Sequence, residues 1–166
     1  MPAVVGEVGR GKRKDCHERA LGLLAVRQRS RRELERRLSQ AGFDEVQIQD
    51  SIRRLQAVGL VDDEAFARSV AEHALGHRLE GRRVVARRLA QAGVDPELAR
   101  EVLGDTGEDE QERADRLAEQ RASRLRGLAP DRAFQRLQAF LVRRGYGFDV
   151  ARRAASRALA VESGED

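Results

Sequence analysis

A seven-residue segment recurs in this chain and restricts what it can fold into. Arg36-Arg37-Leu38-Ser39-Gln40-Ala41-Gly42 and Arg87-Arg88-Leu89-Ala90-Gln91-Ala92-Gly93 agree at six of seven positions, with their glycines 51 residues apart. A weaker third copy follows, in which Leu137, Leu141 and Gly145 stand at the offsets of Leu34, Leu38 and Gly42. An aspartate comes after each glycine, with one to three residues between: Asp44, Asp95 and Asp149. A unit of this length buries little surface by itself. Tandem copies share interfaces, as in repeat proteins. The expected architecture is all-α: three tandem three-helix modules stacked on one another. The expected boundaries are a tail over 1–15, modules over 16–61 and 62–104, and an acidic linker with the third module over 105–159. An acidic tail over 160–166 closes the chain. Within the tails, Met1–Lys14 and Glu162–Asp166 are expected to lack fixed structure.

The local pattern supports helices throughout. Apolar residues recur three and four apart, as in Leu34/Leu38, Ile48/Ile52/Leu55, Phe66/Val70, Val85/Leu89 and Phe134/Leu137/Leu141. That is helical period, and almost nothing alternates with period two. Ser30 with Glu33 has the form of a capping box, and Asp44 with Gln47 offers a second. Asp95-Pro96 reads as a capping carboxylate before a first-turn proline. Gly42, Gly59, Gly93 and Gly145 stand where helices should end. About nine helices are expected.

Composition removes several function classes. No stretch approaches the ~18 to 20 apolar residues needed to cross a bilayer, and the basic N-terminus has no apolar segment behind it, so no secretory signal is read. One cysteine, Cys16, permits neither an internal disulfide framework nor a multi-cysteine zinc site. A reducing cytoplasm is expected. Aromatics are only 4 % of the chain, so the core must come from Leu, Val and Ala. His73 and His77 lie four apart but lack the glutamate after the first histidine that a zinc-protease helix uses, and no third ligand is apparent. They read as an ordinary helix-surface pair. Asp62-Asp63-Glu64 reads as helix-start carboxylates, and Gly6, Gly9 and Gly11 do not form a phosphate loop. No catalytic residue, metal or cofactor is expected.

Thirty of the 32 basic residues are arginines, and the net charge is +4. At about 100° per residue, Leu34 and Leu38 share one face of the helix, with Arg32 and Arg36 opposite them. Arg31 and Arg37 flank the core and can lay their stems along it. Arg82, Arg83, Arg87 and Arg88 repeat that register in the second module, with Val85 and Leu89 on the core face. The third module has Phe134, Gln135, Ala139 and Phe140 at those offsets, and its arginines move to Arg143, Arg144, Arg152, Arg153 and Arg157. A guanidinium suits bidentate contact with phosphate or carboxylate. Pairing to Glu33 and Glu35 within the helix is the competing use. The candidate binding residues are therefore Arg31, Arg32, Arg36, Arg37, Arg82, Arg83, Arg87, Arg88, Arg143 and Arg144.

Three segments carry a family resemblance: Arg29-Ser30-Arg31-Arg32-Glu33-Leu34-Glu35-Arg36-Arg37-Leu38, Gly42-Phe43-Asp44, and Gly59-Leu60-Val61-Asp62-Asp63-Glu64-Ala65-Phe66-Ala67. With Gly81 to Gly93 and Arg143-Arg144-Gly145-Tyr146 they resemble the RecX family of regulatory proteins, over about Cys16 to Leu159. The resemblance implies a curved, elongated stack of three modules that is not an enzyme. It implies a negative modulator of the RecA recombinase that lies in the groove of the RecA–DNA filament. Strand exchange, ATP hydrolysis and coprotease activity would be inhibited, which would modulate recombinational repair and the SOS response. The implied partners are the RecA filament and single-stranded DNA, with double-stranded DNA as a further one; a cytoplasmic monomer is expected. Two other readings stay open. One is a helix-turn-helix-type DNA-binding regulator reading bases with Gln47, Gln49, Asp50, Arg53 and Arg54 of the third helix. The other is a helical adaptor that binds protein alone.

Overall fold

The computed structural model describes residues 15–105 and 109–162. The expected N-terminal tail, save Asp15, and residues 163–166 lie outside the described residues. Among the described residues there are nine α-helices and no strand. None of the helices is long and apolar enough to cross a membrane. The chain divides into two compact units, one up to Asp62 and one from Asp63 onward. The first unit holds one three-helix module and the second holds two.

In the first unit, α1 (Cys16–Val26), α2 (Arg31–Gln40) and α3 (Glu45–Ala57) enclose a core of Leu34, Leu38, Ile48, Ile52 and Leu55, each at most 1 % exposed. Cys16 and Ala20 of α1 close it. Each helix starts where its sequence offers an acceptor for a free backbone N–H. Asp15 accepts from Glu18 N at 2.7 Å, Ser30 Oγ from Glu33 N at 3.1 Å, and Asp44 from Gln47 N at 2.9 Å. Gln47 Oε1 returns the bond to Asp44 N at 3.2 Å, completing the second capping box. α2 stops at Gly42, whose φ of +91° costs a Cβ-bearing residue far more than glycine.

In the second unit, α4 (Asp63–Glu72), α5 (Arg82–Gln91) and α6 (Pro96–Gly104) surround Phe66, Ala67, Ala71, Val85, Leu89, Val94 and Val102. α4 runs into one π-helical turn, His73–His77, where the two histidine rings lie 5.5 Å apart. The third module consists of α7 (Glu110–Ala122), a short 3₁₀ turn, α8 (Pro130–Arg143) and α9 (Phe148–Glu162). α7 and α9 run parallel: Gln111 bonds Arg153, and Asp115 bonds Arg157 one turn on. Between them lie Ala114, Ala118, Ala122, Ala151, Ala154, Ala155 and Ala158. Small side chains let two helix backbones approach closely, which answers the scarcity of aromatics.

The two modules of this unit are locked by the turn before α5. Leu79 reaches into the third module's core, and its carbonyl accepts from the buried Tyr146 hydroxyl at 2.8 Å. Gly81 N donates to Arg144 O at 2.8 Å, and Arg83 N donates to Gly145 O at 3.3 Å. Glu110 then accepts from Arg82 N at 3.2 Å, placing a carboxylate at the start of α5, where Gly81 has no side chain to cap with. The acidic stretch around Asp109 and Glu110 reads from sequence as a linker. In the structure Asp109 caps α7 and Glu110 ties the modules together. Gly145 likewise does more than end a helix, since its backbone forms half of the lock.

Candidate functional site

The ten candidate arginines separate into two groups once their neighbours are known. Arg31 donates to Glu35 at 2.9 Å and to Gln49 at 3.0 Å, and Arg37 donates to Glu33 at 3.2 Å. Arg88 pairs with the buried Glu80 at 2.9 Å. Arg144 donates to the Arg78 carbonyl across the module lock. Arg82 is half-buried beside Glu110. For Arg31, Arg37 and Arg88 the within-module reading applies, since glutamates four or eight residues away take their donors. Arg82 and Arg144 belong to the contact between the second and third modules.

The other five are Arg32, Arg36, Arg83, Arg87 and Arg143. All are exposed, and none forms an ion pair among the described residues. Arg32 and Arg36 lie four apart on α2, opposite Leu34 and Leu38. Arg83 and Arg87 lie four apart on α5, opposite Val85 and Leu89. Like charges at that spacing repel, costing roughly 0.2–0.5 kcal/mol per pair. Each pair is thus a small local cost: Glu33 and Glu35 of α2 pair with other arginines, and α5 has no carboxylate. An anionic partner would supply the counter-charge.

Glu33 takes the cap and the i,i+4 arginine that the sequence offers it, since its N–H bonds Ser30 Oγ and Arg37 pairs with it. What the helix pattern does not show is that Glu33 is buried, at 7 % side-chain exposure, with two further arginines upon it. Arg29, itself buried, reaches it from the α1–α2 connection while its Nε donates to Leu23 O at 3.1 Å. Arg27 approaches at 2.5 Å. No helical wheel contains this, because the connecting loop, not the helix register, covers Glu33. Burial by itself would raise the Glu33 carboxyl. Hydrogen bonds from Arg29, Arg27 and Arg37 outweigh it and hold the group below its ordinary value.

The stabilisation from Glu33 is therefore complete above about pH 4.5, the ordinary value, and is lost as pH falls through the lower folded one. Glu33→Gln leaves Arg29 buried without its counter-charge and should cost about 3 kcal/mol at neutral pH. Urea unfolding of both proteins checks this. The gap should close in acid, where wild-type Glu33 is itself neutral; an equal gap at neutral and strongly acid pH would contradict the assignment.

The third helix of the first module, where base-reading residues would lie, uses its polar side chains at home. Gln47 closes the capping box, and Gln49 donates to Glu35 and Glu45 at 3.2 and 2.7 Å. Asp50 takes Arg53 at 3.0 Å and Arg54 at 3.9 Å.

Comparison with known proteins agrees with this organisation. Residues 16–55 match the family model of the first three-helix domain of RecX, 62–103 the second, and 108–155 the third. The chain is 34 % identical to the regulatory protein RecX of Chlorobaculum tepidum, over 92 % of this chain and 94 % of that one. It is 36 % identical to the regulatory protein RecX of Mycobacterium bovis, over 86 % and 84 %. The crystal structure of RecX from Lactobacillus salivarius superposes with a TM-score of 0.75 at 23 % identity, covering 87 % of this chain and 95 % of that one, and shares the fold. Three helical modules in order, each matched by its own domain model, place this chain in the RecX family of regulatory proteins.

Proposed function

We propose that this chain is a negative regulator of the RecA recombinase. It binds the RecA–DNA filament in its groove and inhibits strand exchange, ATP hydrolysis and coprotease activity, and so modulates recombinational repair and the SOS response. The observation that carries this reading is the pair of matching arginine couples, Arg32/Arg36 and Arg83/Arg87, exposed and without carboxylate partners among the described residues. A filament is periodic, so modest contacts from successive modules add avidity without any single strong site. The protein acts by occupying a surface, as a monomer in the cytoplasm, and performs no chemistry.

A helix-turn-helix regulator is the weaker reading, because Gln47, Gln49, Asp50, Arg53 and Arg54 bond within their own module. The deciding experiment is RecA ATP hydrolysis on single-stranded DNA, titrated with this protein at fixed salt. Inhibition at substoichiometric protein is expected. No effect at equimolar protein would overturn the proposal.

A further inference from the structure

The third module lacks the arginines of the repeat, yet it has a basic cleft in the corresponding place. The cleft has a volume of about 470 Å³ and lies between the end of α7, the turn after it, and α8. Gln135 and Ala139 line it, at the offsets from Gly145 that Arg83 and Arg87 hold from Gly93. The same face of the middle helix is therefore basic in both modules, through different positions. In the third module the charge comes from Arg136 and Arg143 on α8 and from Arg121 and Arg124 beyond it.

Three properties of this cleft point to a ligand. No carboxylate lines it. Arg124, Arg136 and Arg143 form no ion pair among the described residues, and Arg121 lies over the Phe140 ring at 5.0 Å. Four guanidiniums thus share one concavity with no counter-charge, an arrangement that repels itself until an anion enters. The spacing indicates more than one anion: Arg136 and Arg143 are seven residues apart, roughly 10 Å along the helix. Phe140, Ala139 and Leu125 also line it, with Arg121 over the Phe140 ring. A positive groove with apolar side chains beside the charges is the arrangement that tracks a nucleic-acid strand, phosphates to the arginines and bases against the apolar lining.

We infer that this cleft binds the sugar–phosphate backbone of a single nucleic-acid strand directly. This deepens the filament reading by naming the ligand of the third module. It is tested without RecA, so the two can fail separately.

The measurement is fluorescence anisotropy of a labelled oligothymidylate with the full chain over a range of salt. The variant is Arg124→Gln/Arg136→Gln/Arg143→Gln; Arg121 is kept because of its contact with Phe140. Glutamine forms helix about as well as arginine, and circular dichroism checks that the variant folds. Affinity should fall at least about tenfold, and the slope of log affinity against log salt should shrink by about 2, at about 0.7 per phosphate on a single strand. Equal affinity and slope in the variant, or no binding by the wild type, would overturn the inference. So would a variant that keeps its affinity for the strand but no longer inhibits RecA, because the cleft would then meet protein carboxylates.

Discussion

Gly81→Ala is expected to cost more than about 4 kcal/mol, the range reached only when a substitution breaks a defined structural feature. A Cβ at this position would stand 2.2 Å from the Gly145 carbonyl carbon, 2.3 Å from its oxygen and 2.5 Å from Tyr146 N. All three are backbone atoms, so no side chain can rotate away. The two turns must separate. That breaks the Gly81–Arg144 and Arg83–Gly145 bonds and withdraws Leu79 from the third module's core. Gly145→Ala should behave similarly, for a compounded reason. Its φ is +99°, and its Cβ would meet Val84 N at 2.8 Å.

Tyr146→Phe sets the scale. It removes the hydroxyl bond to Leu79 O, leaving a buried carbonyl short of a donor, at about 1–3 kcal/mol. Hydrogen exchange on the full chain distinguishes these outcomes. In Gly81→Ala, protection should fall across α5, α8 and α9 while α1 to α3 keep theirs, since they form a separate compact unit. Uniform loss of protection, or a Gly81→Ala protein as stable as Tyr146→Phe, would mean that the lock is not what holds the second unit together.

The second large effect is functional. The variant Arg32→Glu/Arg36→Glu/Arg83→Glu/Arg87→Glu should lose at least about tenfold in potency against RecA ATP hydrolysis, equivalent to about 1.4 kcal/mol or more of binding. Its helix content should not change. These side chains are exposed and form no ion pair among the described residues, so their replacement disturbs no described contact. A bare fall in net charge must be excluded, because four reversals turn +4 into −4. Arg19→Glu/Arg53→Glu/Arg54→Glu/Arg152→Glu makes the same change in charge at exposed positions outside the two couples. Breaking the exposed pairs of Asp50 costs little. The control should inhibit within a few-fold of wild type. If the quadruple variant inhibits as well as wild type, the couples are not the binding surface. If the control loses potency to the same extent, net charge and not the two couples sets the inhibition.

Much of this molecule is visible in the chain before folding. Leu34/Leu38 and Val85/Leu89 fall on the core faces that helical period assigns them, each fully buried. Gly42, Gly59, Gly93 and Gly145 all have positive φ, as their places after helical runs require. Gly127 shares that conformation and went unmarked, because no repeat flags the 3₁₀ turn before it. The exposed arginine couples are legible too, since residues opposite a core face have nowhere to go but solvent. Arg88 and Arg144 were not legible as structural residues. Their partners, Glu80 and the Arg78 carbonyl, come from turns whose path a helical period does not describe.

The helical stretches, most of their ends, several of their caps, the apolar face of each and the repetition that makes three modules are readable from the chain alone. These follow from interactions within about four residues along the chain, which periodicity and capping chemistry encode directly. How the second and third modules join, and which arginines lack an ion pair among the described residues, depend instead on contacts in space. Gly81 against Gly145, Glu33 beneath Arg29, and Arg121 over Phe140 bring together residues from different elements, and the side chain that neutralises or covers a charge is chosen by proximity in space. A guanidinium in the sequence is only a potential donor, and packing determines whether a carboxylate, a carbonyl or an outside anion receives it.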